Sequence, residues 1–286
     1  MSILRCSIAA LVLSIAPWSV QAAIPIQHWT HASGARVYLV ESPAIPMLDV
    51  QVDVDGGSRR DPASQAGLAS VTADLLTAGV AAQDGAPELD ENQLAEAWAD
   101  LGASFGASAG GERFSLSLRT LTRLDLLPRA VALAARQLAA PAWPDAVWQR
   151  DRQRLVAAWQ EAQTRPATLA GQAFARAVYG DHPFGRDATP QTLAAIDTAA
   201  MQAFYRRHVV ACRAQVSLVG AIDRAGAERL VGQLMAALAP NGCPSLDPVP
   251  DVQRLREAVE RRIPFDAAQA QVLIGQPGMR LSLIHI

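Results

Sequence analysis

Leu48, Val50, Val52 and Val54 alternate with Asp49, Gln51 and Asp53, a period of two that puts one face of a strand in a core. Ala35, Val37 and Leu39 alternate in the same way, and Gly56-Gly57 ends the second strand. The period then lengthens. Asp61-Pro62 places an N-cap residue before a proline at the first helical position, which predicts a helix through about Leu76 with the apolar stripe Leu68, Val71, Leu75 and Leu76. A second helix is expected from Asp90, with Leu94, Ala97, Trp98 and Leu101 at helical spacing. Strands around 104–109 and at Phe114-Leu116-Leu118, joined at Gly110-Gly111, read as a hairpin.

Helical spacing dominates the next stretch, with segments predicted at Thr122–Ala140, Pro144–Gln163, Thr168–Tyr179 and Thr189 to about Arg207. Gln215–Gly220 is an apolar strand, and Asp223 is placed to cap a helix running to Leu238. Helices grouped between partly consecutive strands imply an α+β class, an antiparallel sheet with helices packed on it. Pro240, Asn241, Gly242, Pro244, Pro248 and Pro250 crowd one stretch, read as an interdomain linker over 240–255. Gln271-Val272-Leu273-Ile274 then reads as a strand opening a second domain, with 256–280 too short to complete one.

Composition narrows the function classes. Half of the 286 residues are hydrophobic, which excludes a disordered chain, and 25 basic against 27 acidic side chains argue against a nucleic-acid binder. All of the basic residues are arginine. The six tryptophans, without interleaved basic residues, suit core packing or an apolar interface.

Both ends of the chain read differently from its body. Residues 1–22 carry Arg5, an apolar run from Cys6 to Ile15 and the small-residue pattern Val20-Gln21-Ala22, a secretory signal peptide that leaves no membrane span after cleavage. Export to a periplasmic or extracellular compartment follows. There Cys212 and Cys243 are equally open to pairing and to remaining two idle thiols, since spacing does not establish their separation. Leu281–Ile286 matches one reading frame of a widely used transposase sequencing adapter and is expected to be a non-native tail.

From Gly57-Ser58-Arg59-Arg60-Asp61-Pro62 through Gly67-Leu68-Ala69-Ser70-Val71-Thr72-Ala73-Asp74-Leu75-Leu76 the chain resembles the M16 peptidases, the insulinase and pitrilysin family of zinc proteases. Leu101-Gly102-Ala103, Ser108-Ala109, Tyr179-Gly180-Asp181-His182-Pro183-Phe184-Gly185, Val219-Gly220-Ala221-Ile222-Asp223 and Ile263-Pro264-Phe265 follow in the family's order. The resemblance implies an M16 N-terminal-like domain over 23–239 and the start of a second over 256–280, with peptide enclosed between such halves. Active members carry His-x-x-Glu-His on the first long helix, where two histidines hold zinc and the glutamate activates water. Here those positions are Ser70, Ala73 and Asp74, and the family's third ligand, a glutamate on a later helix, falls at Ala158 to within about one helical turn, with Asp151 a turn or two earlier and Glu161 left open as that ligand, though one carboxylate does not hold zinc.

The resemblance therefore implies a chain inactive on its own, with no cofactor of its own, that pairs with an active M16 homologue carrying the zinc and acting on peptide or unfolded protein. A zinc metalloendopeptidase with displaced ligands and a solitary periplasmic peptide-binding protein remain as alternatives. The other histidines favour neither. His28 and His31 read as a solvated pair, His182 as a turn residue in its Asp-His-Pro loop, and His208 as a charge complementing a helix C-terminus. Asp74 reads as a solvated or hydrogen-bonded remnant.

Overall fold

The computed structural model describes residues 25–238, 243–276 and 278. Residues 1–22, expected to be a signal peptide, residues 239–242, which include the start of the expected linker, and the expected tail 281–286 lie outside the described residues. The chain order begins β1 (Gln27–Thr30), β2 (Arg36–Glu41), β3 (Met47–Val54), α1 (Leu68–Leu75), β4 (Gly79–Val80) and β5 (Leu89–Asp90). It continues α2 (Glu91–Asp100), β6 (Ser104–Ala109), β7 (Phe114–Leu121), α3 (Leu127–Ala139), α4 (Asp145–Ala162) and α5 (Pro166–Tyr179). It closes with α6 (Pro190–Ala194), α7 (Thr198–His208), β8 (Gln215–Gly220) and α8 (Arg224–Ala237).

Six strands form one sheet in the order β1-β2-β8-β3-β7-β6. The architecture is the expected α+β, but the sheet is mixed. β2 and β8 run parallel from Arg36↔Gln215 to Glu41↔Gly220, while the other pairs are antiparallel. A parallel pair needs a crossover, and all the intervening helices supply it. The hairpin β6–β7 is the predicted one, in register from Ser104↔Arg119 to Ala109↔Phe114.

Alternation decides which face carries the helices. Leu48, Val50, Val52 and Val54 are buried along β3 and Phe114, Leu116 and Leu118 along β7, against the helical layer. The opposite face is polar. Directly across from each other, Asp49 and Arg119 pair at 2.5 Å, and Asp53 accepts from the Ser115 hydroxyl, so charge complementarity supports the register. Within the layer α1 packs on α7 and β6, and α3 packs on α8.

Helix boundaries differ from expectation where side chains cap at a distance. The first helix begins at Leu68 and not at Pro62, because residues 58–65 form two short 3₁₀ turns. Asp61 still acts as its cap. Its buried carboxylate accepts from Gly67 N and Ala69 N, both at 2.8 Å, and Gly67 enters the helix at φ 101°, a conformation glycine adopts without a Cβ clash. Asp90 and Gln93 form a capping box on α2, and Asp223 caps α8 as expected.

The single helix expected over Thr189–Arg207 is two. Asp197 caps a new start at α7, and the Ile196 carbonyl at the break accepts from Trp148 Nε1 at 3.0 Å. Trp148 is fully buried, so its indole N–H needs this acceptor, and the break provides it. No strand forms at Gln271–Ile274, where Val272, Leu273 and Ile274 are exposed. An extended segment becomes a strand only through ladder partners, and none lies beside this one among the described residues.

Candidate functional site

Ser70, Ala73 and Asp74 sit on α1, which Asp61 caps at its start and whose inner face Leu68, Ala69, Val71, Thr72, Ala73 and Leu75 bury. Ser70 is half-buried, Ala73 is fully buried and Asp74 is exposed. Trp143 reaches across to donate from Nε1 to the Thr72 carbonyl at 3.3 Å, which anchors the middle of the helix.

Opposite Asp74, α4 supplies charge. Asp151 lies in its electrostatic reach with a side chain only 14% exposed, held by Arg150 at 3.0 Å and by Arg154 at 3.3 Å. Partial desolvation of its carboxyl, and then the negative charge of Asp151, push Asp74 above the usual range although the residue stays open to solvent, while the Arg154 guanidinium pulls it back. Arg150 in turn grips Glu91 at the start of α2 with two hydrogen bonds of 2.9 and 3.1 Å. Ala158 is exposed on α4, and Glu161 pairs with Arg165 at the next turn.

These residues do not fit zinc. A hydrophilic metal site of this kind needs three nitrogen or carboxylate donors converging on one point. Ala73 and Ala158 have no donor atom, Ser70 offers a hydroxyl, and Asp74 and Asp151 lie in the field of the same arginine, Arg154. Among the described residues no group of three or more His, Cys, Asp or Glu side chains is placed to hold a metal ion. Sequence reasoning missed Arg154, although its i,i+3 spacing from Asp151 is the signature of a helical ion pair.

The histidines are scattered over other structures. His28 lies in β1, outside any helix, and His31 holds Ser33 through Nδ1 and faces Glu228 at 3.8 Å. His182 Nδ1 accepts from Phe184 N at 3.1 Å, which leaves Nε2 to donate to the Pro250 carbonyl at 2.9 Å; its role in a turn is as expected. His208 departs from expectation. It is 6% exposed, and burial, followed by the charges of Arg207, Arg60 and Arg213, drives its pKa down to about 4. A neutral ring cannot complement the dipole of α7, and its presence there answers to packing under Gly56, whose added Cβ would meet His208 Cβ at 3.2 Å.

His208 lines a cavity of about 420 Å³ between the turn at 58–62, α7 and the segment 246–250. The turn is held by backbone bonds from Ser58 N to Gly110 O and Arg59 N to Gly111 O, each 2.9 Å, an approach so close that a Cβ on Gly57 would lie 2.5 Å from Gly110 O. Asp55 binds both Arg59 and Arg60 there. The segment 246–250 is tied down in turn. Cys212 and Cys243 are joined in a disulfide with Cα atoms 5.9 Å apart, Arg207 pairs with Asp247 at 3.0 Å, and Arg60 Nη1 donates to the Asp247 carbonyl at 2.5 Å.

No family profile matches the chain, and no curated protein matches it. Solved structures do. A peptidase M16 inactive domain from Pseudomonas fluorescens is 29% identical with a TM-score of 0.72, covering 80% of this chain and 54% of that one. The periplasmic protease PqqL from Escherichia coli is 18% identical with a TM-score of 0.66, covering 81% of this chain and 24% of that one. Pitrilysin is 21% identical with a TM-score of 0.62, covering 82% of this chain and 26% of that one. The fold is that of the M16 peptidases. The chain is an M16-peptidase-like protein, and it spans about half the length of the Pseudomonas fluorescens protein, 54%.

Proposed function

We propose that this chain is a non-catalytic M16-type subunit, exported to the periplasm, that pairs with a zinc-bearing homologue and helps enclose its peptide substrate. The donor set on α1 carries the reading: Ser70, Ala73 and Asp74 supply no imidazole and no glutamate at the family's base position, and Arg154 brings a positive charge to the carboxylates.

Substrate contact needs no side-chain chemistry from this chain. β6 is an edge strand of the sheet and α1 packs against it, so an extended peptide could add a strand beside the degenerate motif through main-chain hydrogen bonds. Export is supported by the signal-peptide pattern, by the Cys212–Cys243 disulfide, which persists in oxidising compartments, and by the periplasmic protease among the structural neighbours. No helix among the described residues is long and apolar enough to cross a membrane.

The test is zinc stoichiometry by native mass spectrometry on the exported protein purified alone, together with co-purification from its native host. Near-zero zinc with an intact His-x-x-Glu-His homologue in the co-purified fraction is the expected result. One tightly held zinc per chain would overturn the proposal and leave a peptidase with displaced ligands.

A further inference from the structure

The cavity beneath residues 246–250 combines two kinds of wall. Pro62, Leu68, Phe204, Pro248 and Val249 make it apolar, while Arg60, Arg207 and His208 bring cationic and donor groups, and Asp61 and Asp247 carboxylates, to the same space. The guanidiniums are differently committed. Arg60 is 11% exposed and held by Asp55, whereas Arg207 is 54% exposed and paired only with Asp247, itself 89% exposed. A pair so open to water is weak and exchanges readily with another carboxylate.

His208 lines this space and is 6% exposed, and among the described residues its buried Nδ1 has no hydrogen-bond partner. Such a group stays costly until a partner reaches it, and the charges of Arg207, Arg60 and Arg213 acting on His208, opposed by Asp55, favour an anion over a neutral oxygen there. Asp247 already shows the chemistry on a small scale, with its carboxylate on Arg207 and its carbonyl on Arg60.

We infer that this cavity is a binding site for a carboxylate carried on an apolar body, such as an apolar residue with a free C-terminus, held by Arg207 and His208 with Asp247 as the internal competitor. Arg207 turns its guanidinium from Asp247 to the ligand carboxylate, a planar pairing that arginine makes in two parallel hydrogen bonds. The apolar body packs against Leu68 and Phe204. At about 420 Å³ the space admits one or two residues and no folded partner. This inference rests on the cavity and stands apart from the pairing proposed above.

N-acetyl-leucine is the probe, with N-acetyl-leucinamide and orthophosphate as controls, titrated into the disulfide-intact full chain by calorimetry. Saturable binding of N-acetyl-leucine is expected, with at least tenfold weaker binding of the amide. Arg207→Gln, a change at a half-exposed side chain, should weaken binding at least tenfold with the unliganded melting temperature retained, and Asp247→Asn should tighten it several-fold. Equal binding of acid and amide, or binding unaffected by Arg207→Gln, would overturn the site. Saturation by orthophosphate without binding of N-acetyl-leucine would overturn its assignment to an apolar carboxylate.

Discussion

Asp61 and His208 line the same cavity, and burial carries their titrations past each other: the carboxyl rises to about 6 and the imidazole falls to about 4. For Asp61 the desolvation outweighs the backbone N–H groups of Ala69, Gly67 and Leu68, which favour the ionised form. A carboxyl raised from 3.8 contributes stability that is fully present below 3.8 and is lost as pH rises through about 6. An imidazole lowered from 6.5 contributes stability that is present above 6.5 and is lost as pH falls through about 4. The slopes oppose, so the contributions of these two groups largely cancel between these limits.

Single variants should uncover each slope. Asp61→Asn leaves His208 alone, and the protein should then lose about 3 kcal/mol on acidification across that window. His208→Leu leaves Asp61 alone, and stability should fall by a similar amount as pH rises. Urea unfolding at half-unit pH steps measures both; parallel slopes in the two variants would contradict the opposed burial effects.

Asp74 should respond in opposite senses to its two neighbours on α4. Arg154→Gln removes the cation that lowers its titration and should move it upward, while Asp151→Asn removes the like charge and should move it downward. Carbon-13 NMR of the aspartate carboxyls follows this directly. A shift in the same direction for both variants would show that Asp151 and Arg154 act on Asp74 through structure and not through charge.

The disulfide links residues 31 apart in sequence, and loop-closure entropy puts its contribution at about 3–4 kcal/mol. Cys243→Ser should lower stability by up to that amount. It should also release the cavity's cover, seen as faster cleavage within residues 243–250 by a non-specific protease than in the disulfide-bonded protein. Unchanged cleavage there would mean that Arg60, Arg207 and His182 suffice to hold the segment.

Gln137 joins three helices at their buried ends. Its Oε1 accepts from Trp98 Nε1 at 3.0 Å and its Nε2 donates to the Leu76 carbonyl at 2.9 Å, with no exposure at all. Gln137→Leu fills similar space but orphans both groups, at roughly 1–3 kcal/mol for each. A loss below about 1 kcal/mol in chemical denaturation would mean that water or a shifted backbone replaces the amide.

Periodicity in the sequence makes much of the framework legible. The alternation in 47–54 and the Gly110-Gly111 hairpin each bury one face of a strand, and that pattern survives folding because it is set by solvent. Asp90 and Asp223 were legible as caps because their partners lie three residues away. Asp61 was legible as a cap but not its reach, since its N–H partners stand six and eight residues on, beyond two short turns that only packing forms.

Ser70, Ala73, Asp74 and Ala158 are matters of residue identity, and an alanine offers a metal nothing in any fold. What opposes the carboxylates was another matter. Arg154 meets Asp74 only because α4 is laid beside α1, and His208 loses its charge only because α7 ends under Gly56 among arginines drawn from the segments at 60, 207 and 213. Sequence alone determined which donor atoms exist on this chain. Tertiary structure decided their distances and hydration, because Coulomb and desolvation energies depend on separation and burial, which residues far apart in the chain acquire only when it folds.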